Sequence, residues 1–255
     1  MRYLITMSYD GTRYSGWQKQ ENSAKTISAK IENVLSVLNG GPVSVQGAGR
    51  TDAGVHALAQ TATFDLKGSP DPAVILRAFR EYLPEDISVH SCNPVDSRFH
   101  ARLSALGKIY RYEIRTSPCA DVFRRKYQWH LGKTPDAKAM KAGARFLEGT
   151  HDFTSFSTKA KSRHGNIRTV SRISLTEKDG TLSLEFEGDG FLYNMVRIMT
   201  GTLIEIGLGK RKPDEIPAIL AARDRSAAGF TAPAQGLTLV KVLYPESAGG
   251  SRPDQ

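Results

Sequence analysis

Three groups of residues, well separated along the chain, have the types and spacing to carry chemistry. The first is a charged core in a glycine-rich stretch, Gly47-Ala-Gly49-Arg50-Thr51-Asp52-Ala53-Gly54-Val55-His56. Glycine permits left-handed backbone and the close approach of a ligand. Such a loop either uses Asp52 locally in an Asx-turn or presents Arg50 and Asp52 to a substrate, where an ionised carboxylate can form a covalent intermediate. The second is Arg197, in the strongly apolar helical pattern Met195-Val-Arg197-Ile-Met199. It either snorkels to the surface or is buried and needs a carboxylate, because an uncompensated buried charge costs several kcal/mol. Asp52 is a plausible partner, and pairing would lower its pKa and keep it ionised. The third is Tyr110 with Tyr112, on one face of a strand whose other face carries Arg111 and Arg115. These are either core tyrosines with satisfied hydroxyls or a platform on which a flipped base stacks.

Other chemistries find no pattern. A dinucleotide fingerprint needs a third glycine where Asp52 stands. A P-loop at Gly209-Lys210 would have Ile204 in place of its first glycine and Arg211 in place of Ser or Thr. The six histidines show no metal-site spacing, so no metal is expected. His151, in Gly149-Thr-His151-Asp-Phe153, reads as a turn histidine. Cys92 and Cys119 read as two reduced thiols.

Lys and Arg number 35 against 26 Asp and Glu, a formal charge of +9. That excess suggests a polyanionic partner. Arg124-Arg125-Lys126 and residues 159–168 are charge runs that are either solvated faces or phosphate contacts. The first residues reach Asp10 too soon for a secretory apolar region. No apolar run approaches the roughly 18 residues of a membrane helix, so a cytoplasmic protein is expected.

The elements that must position these residues read in the same order twice. In the first half, residues 3–9 alternate as a strand ending at Asp10-Gly11. Ile27, Ile31, Val34, Leu35 and Leu38 then recur at helical spacing, with Thr26 as cap and Gly40 as stop. Strands are expected at 43–48, 58–66 and 87–92. A helix from Asp71-Pro72 places Ile75, Leu76, Phe79 and Leu83 on one face. In the second half, strands are expected at 108–115, 169–175, 182–187 and 237–244. One helix is opened by Pro135, another spans about 192–206, and a short one falls within 208–235. Each half thus reads β-α-β-β-α-β, the split βαβ arrangement of ferredoxin-like and RRM-like units. The expectation is an α+β chain of two tandem units with antiparallel sheets: a lobe at 1–105 carrying the Asp52 loop, a lobe at 106–245, and a disordered tail at 246–255.

At Gly49-Arg50-Thr51-Asp52-Ala53-Gly54-Val55-His56 the chain resembles the TruA family, tRNA pseudouridine synthase I. Further segments in family order are Tyr9-Asp-Gly-Thr, Gly16-Trp17-Gln18, Phe99-His-Ala-Arg102, Lys108-Ile-Tyr110-Arg-Tyr112, Gly190-Phe-Leu-Tyr-Asn-Met-Val-Arg197, Thr231-Ala-Pro-Ala and Gly236-Leu-Thr-Leu. Phe230 and Gln235, flanking Thr231-Ala-Pro-Ala, depart from the usual pattern. The resemblance implies the pseudouridine synthase fold, a homodimer, no cofactor, and a uridine substrate at positions 38, 39 and 40 of the tRNA anticodon stem-loop. It implies that Asp52 is the essential aspartate, Tyr110 the active-site tyrosine, Arg197 the ion-pair partner of Asp52, and Arg50 the residue that holds the target nucleotide out of its stack. Two rival readings are a non-catalytic RNA-binding protein of RRM-like architecture, which lacks a clear RNP1 string here, and a cofactor-dependent RNA modifier, which lacks a glycine fingerprint.

Overall fold

The structure, a computed structural model, describes residues 1–19, 25–159 and 165–245. The segments expected to form a disordered tail (246–255) and most of a basic loop (160–164) lie outside the described residues. The chain divides into two compact units, Met1–Leu106 with Leu239–Gln255, and Gly107–Thr238.

The first unit runs β1 (Arg2–Tyr9), α1 (Ile27–Asn39), β2 (Gln46–Gly47), β3 (His56–Asp65), α2 (Pro72–Tyr82) and β4 (Ile87–Val95). β1 is central, antiparallel to both β3 and β4, with Ile5 opposite Ala62 on one side and Cys92 on the other. β2 pairs with β3 through Gln46↔Thr63 and Gly47↔Ala62. The order β4-β1-β3, with the two-residue β2 also paired to β3, is that of a split βαβ unit. Both helices begin at side-chain caps. Thr26 accepts from the Ala29 N–H and Asp71 from the Ala73 N–H, which satisfies donors that a helix N-terminus leaves open. Gly40, at φ 63°, ends α1 in the left-handed conformation that glycine adopts without strain. The alternation of β1 sends Tyr3, Ile5 and Met7 into the core, where Tyr3 stacks on Phe64 at 5.8 Å and Phe64 meets the edge of Phe79 at 6.5 Å.

The second unit holds β5 (Gly107–Arg115), β6 (Trp129–His130), α3 (Ala137–Leu147), β7 (Gly149–Asp152), β8 (Ile167–Lys178), β9 (Thr181–Gly188), α4 (Met195–Gly207) and α5 (Ile216–Ala222). Its antiparallel sheet has the order β5-β9-β8-β7, with β6 parallel to the end of β5. Tyr112, Ile114, Leu182, Leu184 and Phe186 are buried on one face with Met140, Leu147, Ile198, Met199 and Leu203 from the helices. The opposite face is polar, and there Glu185 bridges Arg111 at 3.3 Å and Arg172 at 3.5 Å.

Several local expectations need correction. Only Gln46 and Gly47 of the expected strand at 43–48 pair. α3 starts at Ala137 rather than at Pro135, because the Asp136 carboxylate caps the N–H groups of Lys138 and Ala139. α4 starts at Met195 rather than near 192, because Asn194 is left-handed at φ 61° and breaks the helical run. His151 lies in β7 opposite Arg168, not in a turn. The last strand, β10 (Leu237–Leu243), is expected in the second lobe, yet from Leu239 onward it belongs to the first unit and neighbours β3. Alternation tells which face of a strand is buried but not which strand lies beside it. Among the described residues no helix is long and apolar enough to cross a membrane.

Burial raises the pKa of several acids, which sets an alkaline limit. Desolvation pushes Tyr9, Tyr244 and Cys92 up to about 12, from ordinary values of 10.0 for tyrosine and 9.0 for cysteine. Between pH 9 and 12 the unfolded chain therefore binds fewer protons than the folded one, and stability falls as pH rises. It is fully present below that window. Each such group contributes a slope of up to about 1.4 kcal/mol per pH unit. Urea midpoints measured from about pH 8 to about pH 11 should fall progressively. A flat profile would show that these groups are not shielded.

Candidate active site

The Asp52 loop joins β2 to β3 in the first unit. Arg50 is exposed and Asp52 half-buried, while Thr51 between them is 6% exposed. The backbone carbonyl of Asp52 accepts from the Val55 N–H at 3.2 Å, closing a turn over residues 52–55.

A second segment, residues 10–17 between β1 and α1, braces this loop through its backbone N–H groups. The Trp17 N–H donates to Thr51 O at 3.0 Å, and the Gly11 N–H donates to His56 Nδ1 at 3.0 Å. A Cβ on Gly11 would lie 2.0 Å from Val55 O, and one on Gly16 would lie 2.7 Å from Thr51 O. Both positions thus require glycine for the two chains to approach so closely. The brace is tied to the fold in turn: Gly16 O and Trp17 O accept from the first N–H groups of α1, Ile27 at 3.1 Å and Ser28 at 3.0 Å. His56 is 3% exposed with Nδ1 3.3 Å from Asp10 Oδ1. The loop is therefore held at two points, and Asp52 sits on a braced backbone.

In the second unit, Tyr110 and Tyr112 share the buried face of β5, as the spacing predicts. Tyr110 lies opposite Phe186 and meets Phe191 edge to face at 5.3 Å. The Tyr112 hydroxyl donates to Pro233 O at 2.6 Å. Burial raises the Tyr112 pKa, and the positive charge of Arg197 opposes the rise. Arg197, on the first turns of α4, is half-buried. Its Nε donates to Ala232 O at 2.7 Å and its Nη1 to Asn194 Oδ1 at 2.7 Å, while its own carbonyl accepts from the Ala232 N–H at 3.1 Å. These bonds fix the guanidinium and tie α4 to the stretch that follows α5.

The structure thus places Arg50 and Asp52 in the first unit, and Tyr110 and Arg197 in the second. The bracing segment carries no chemical signature in the sequence beyond the family-like Tyr9-Asp-Gly-Thr and Gly16-Trp17-Gln18. Two glycines between a strand and a helix were the available signal. Among the described residues no cluster of His, Cys, Asp or Glu could hold a metal ion.

A family model described as tRNA pseudouridine synthase matches residues 5–103 and 144–245. The chain is 44% identical over 240 residues to tRNA pseudouridine synthase A of Acetivibrio thermocellus, covering 94% of this chain and 98% of that one. It is 43% identical over 249 residues to tRNA pseudouridine synthase A of Exiguobacterium sibiricum, covering 98% and 99%. It is 41% identical over 241 residues to tRNA pseudouridine synthase A 2 of Clostridium tetani, covering 94% and 97%. A solved Cbf5-Nop10-Gar1 complex is a distant likeness, with TM-score 0.39 and 14% identity over 93% of this chain and 48% of that one, too remote to bear on the fold.

Proposed function

This chain belongs to the tRNA pseudouridine synthase family, and from that premise we propose that Asp52 is the nucleophile of the reaction. The protein is an isomerase that converts uridine in tRNA to pseudouridine. A purely RNA-binding role of RRM-like type is not favoured.

The reaction breaks the bond between ribose C1′ and N1 of uracil and joins C1′ to C5. C5 loses a proton and N1 gains one, so the product has the mass of the substrate. The balance calls for no electron acceptor and no second substrate. It calls for a group that holds one fragment while the other turns. Asp52 does this by forming a covalent bond to one of the two, the sugar or the uracil ring, and releasing it when the new bond closes. The observation that supports this is the bracing of the loop that carries Asp52 at Thr51 O and at His56 Nδ1, since a nucleophile gains most from a fixed approach.

In the same proposal Arg197 supplies the positive charge that keeps Asp52 ionised. Tyr110 packs against the base and helps remove the C5 proton. Exposed Arg50 holds the target nucleotide out of its stack, which offsets an unstacking cost of a few kcal/mol. The substrate uridines are those at positions 38, 39 and 40 of the anticodon stem-loop, the enzyme acts as a homodimer without a cofactor, and it works in the cytoplasm. The formal charge of +9 supports phosphate binding. The test is incubation of the purified protein with unmodified tRNA transcripts and no cofactor. The expected result is a mass-neutral pseudouridine mark confined to the anticodon stem-loop. A transcript left unmodified, or modified elsewhere, would overturn the assignment.

A further inference from the structure

Behind the Asp52 loop, three buried polar side chains form a chain of hydrogen bonds. Tyr9, at the end of β1, is 4% exposed, Thr51 in the loop is 6% exposed, and Gln60 on β3 is 0% exposed. Tyr9 Oη and Thr51 Oγ1 are 2.8 Å apart. Gln60 Nε2 donates to Gly49 O at 3.0 Å and to Tyr9 Oη at 3.4 Å, and Gln60 Oε1 accepts from the Thr61 N–H at 3.2 Å. The network therefore grips the loop at Gly49, immediately before Arg50, and at Thr51, between Arg50 and Asp52.

Polar groups in such a place are not what stability alone would select. Apolar residues of the same shape can replace a buried hydrogen-bonded pair almost neutrally, and a half-satisfied network is worse than an apolar core. What the network supplies that an apolar core would not is direction. Each bond ends on an atom of the loop itself or on a group that holds one, so the loop has one position rather than several. Burial keeps the Tyr9 hydroxyl protonated up to about 12, so the bonds persist throughout the working pH range.

We infer that Tyr9, Thr51 and Gln60 are positioning residues for the isomerisation, holding the Arg50–Asp52 segment in its reactive place. The inference rests on the reading of Asp52 as nucleophile. A misplacement of about 1 Å in a reacting group can cost about a hundredfold in rate. The network acts on kcat, because the loop's position matters at the reacting bond and not for the many phosphate contacts that set tRNA affinity.

The decisive comparison uses Tyr9→Phe, Thr51→Val and Thr51→Ser, each measured for kcat, KM for tRNA and melting temperature. Tyr9→Phe and Thr51→Val remove a hydroxyl at nearly constant shape and should lower kcat about 10- to 100-fold, with KM within about threefold. Thr51→Ser keeps the hydroxyl and should stay within about threefold of the parent in kcat. An unchanged kcat per folded molecule, or a kcat lost equally in Thr51→Ser and Thr51→Val, overturns the inference. So does a raised KM at constant kcat. Should Tyr9→Phe fold poorly, the Thr51 pair decides alone. An active Asp52→Asn enzyme would overturn the nucleophile and this inference together, whereas an inactive Asp52→Asn beside a fully active Tyr9→Phe and Thr51→Val would overturn this inference only.

Discussion

Asp52→Asn should lose pseudouridine formation by a factor of at least about a thousand while its affinity for tRNA stays within about tenfold, or about 1.4 kcal/mol. The amide matches the carboxylate in size, so the loop has no steric reason to move. The bonds that fix the loop run through Thr51 O, Val55 N–H and His56 Nδ1, and the substitution leaves all of them in place. What it removes is the negative charge and the oxygen proposed as the nucleophile. An interaction made only during the chemical step lowers kcat without raising KM. Single-turnover assays on a tRNA transcript, paired with filter binding of the same transcript, measure the two quantities separately. Turnover by the variant at a rate comparable to the parent would exclude the nucleophile role. A parallel collapse of binding would instead place Asp52 among the groups that hold RNA.

Gly201→Ala should be the most damaging small substitution in the second unit. Gly201 is buried in α4, and a Cβ there would lie 1.9 Å from Phe230 O and 2.9 Å from the Phe230 carbonyl carbon. Both are backbone atoms, so no side-chain rotation relieves the clash. The same stretch is fastened to α4 nearby: the Gly229 N–H donates to Thr202 Oγ1 at 2.9 Å, and Ala232 exchanges bonds with Arg197. Helix and strand of chain must separate, and the Arg197 bonds with them. Overpacking a tight core commonly costs about 1–3 kcal/mol, and a backbone obstacle belongs at or above the upper end. A urea midpoint shift equivalent to about 3 kcal/mol or more is the expected result. Gly41→Ala is the control. A Cβ there meets nothing within 4 Å, and its effect should stay within about 0.5 kcal/mol. A Gly201→Ala protein as stable as the control would mean the close approach does not persist in solution.

Much of this arrangement is written locally in the sequence. Thr26 and Asp71 announce helix starts because a short side-chain oxygen can reach an open N–H two or three residues on. Leu182, Leu184 and Phe186 announce a strand because alternation has one physical meaning. The Asp52 loop stood out by its glycines and charges, and its family likeness by residues spread along the chain. Pro135 misled because a good helix opener was followed by a better cap in Asp136. Asn194 misled because a left-handed residue leaves no mark on hydrophobic spacing. The Tyr9, Thr51 and Gln60 network was illegible for a different reason: its members lie 9 to 51 positions apart, and only the antiparallel pairing of β1 with β3 brings them together. Site residues that act by holding others carry no chemical signature of their own.

The grouping of β10 with the first unit has a consequence for synthesis. A ribosome delivers residues in order, and domains commonly fold as they emerge. Here the opening hundred residues cannot finish. Tyr244 Oη supplies the partner of Thr61 Oγ1 and a donor to Ala101 O, both at 2.6 Å, and Leu243 O receives the Leu106 N–H at 2.8 Å. Until those last residues arrive, a ring-lined seat beside Phe99 stays vacant and several polar groups await their mates. The nascent N-terminal portion is thus obliged to wait, partly open, through the translation of everything between, and a message cut short near its end would release a chain whose beginning is the part left unfinished.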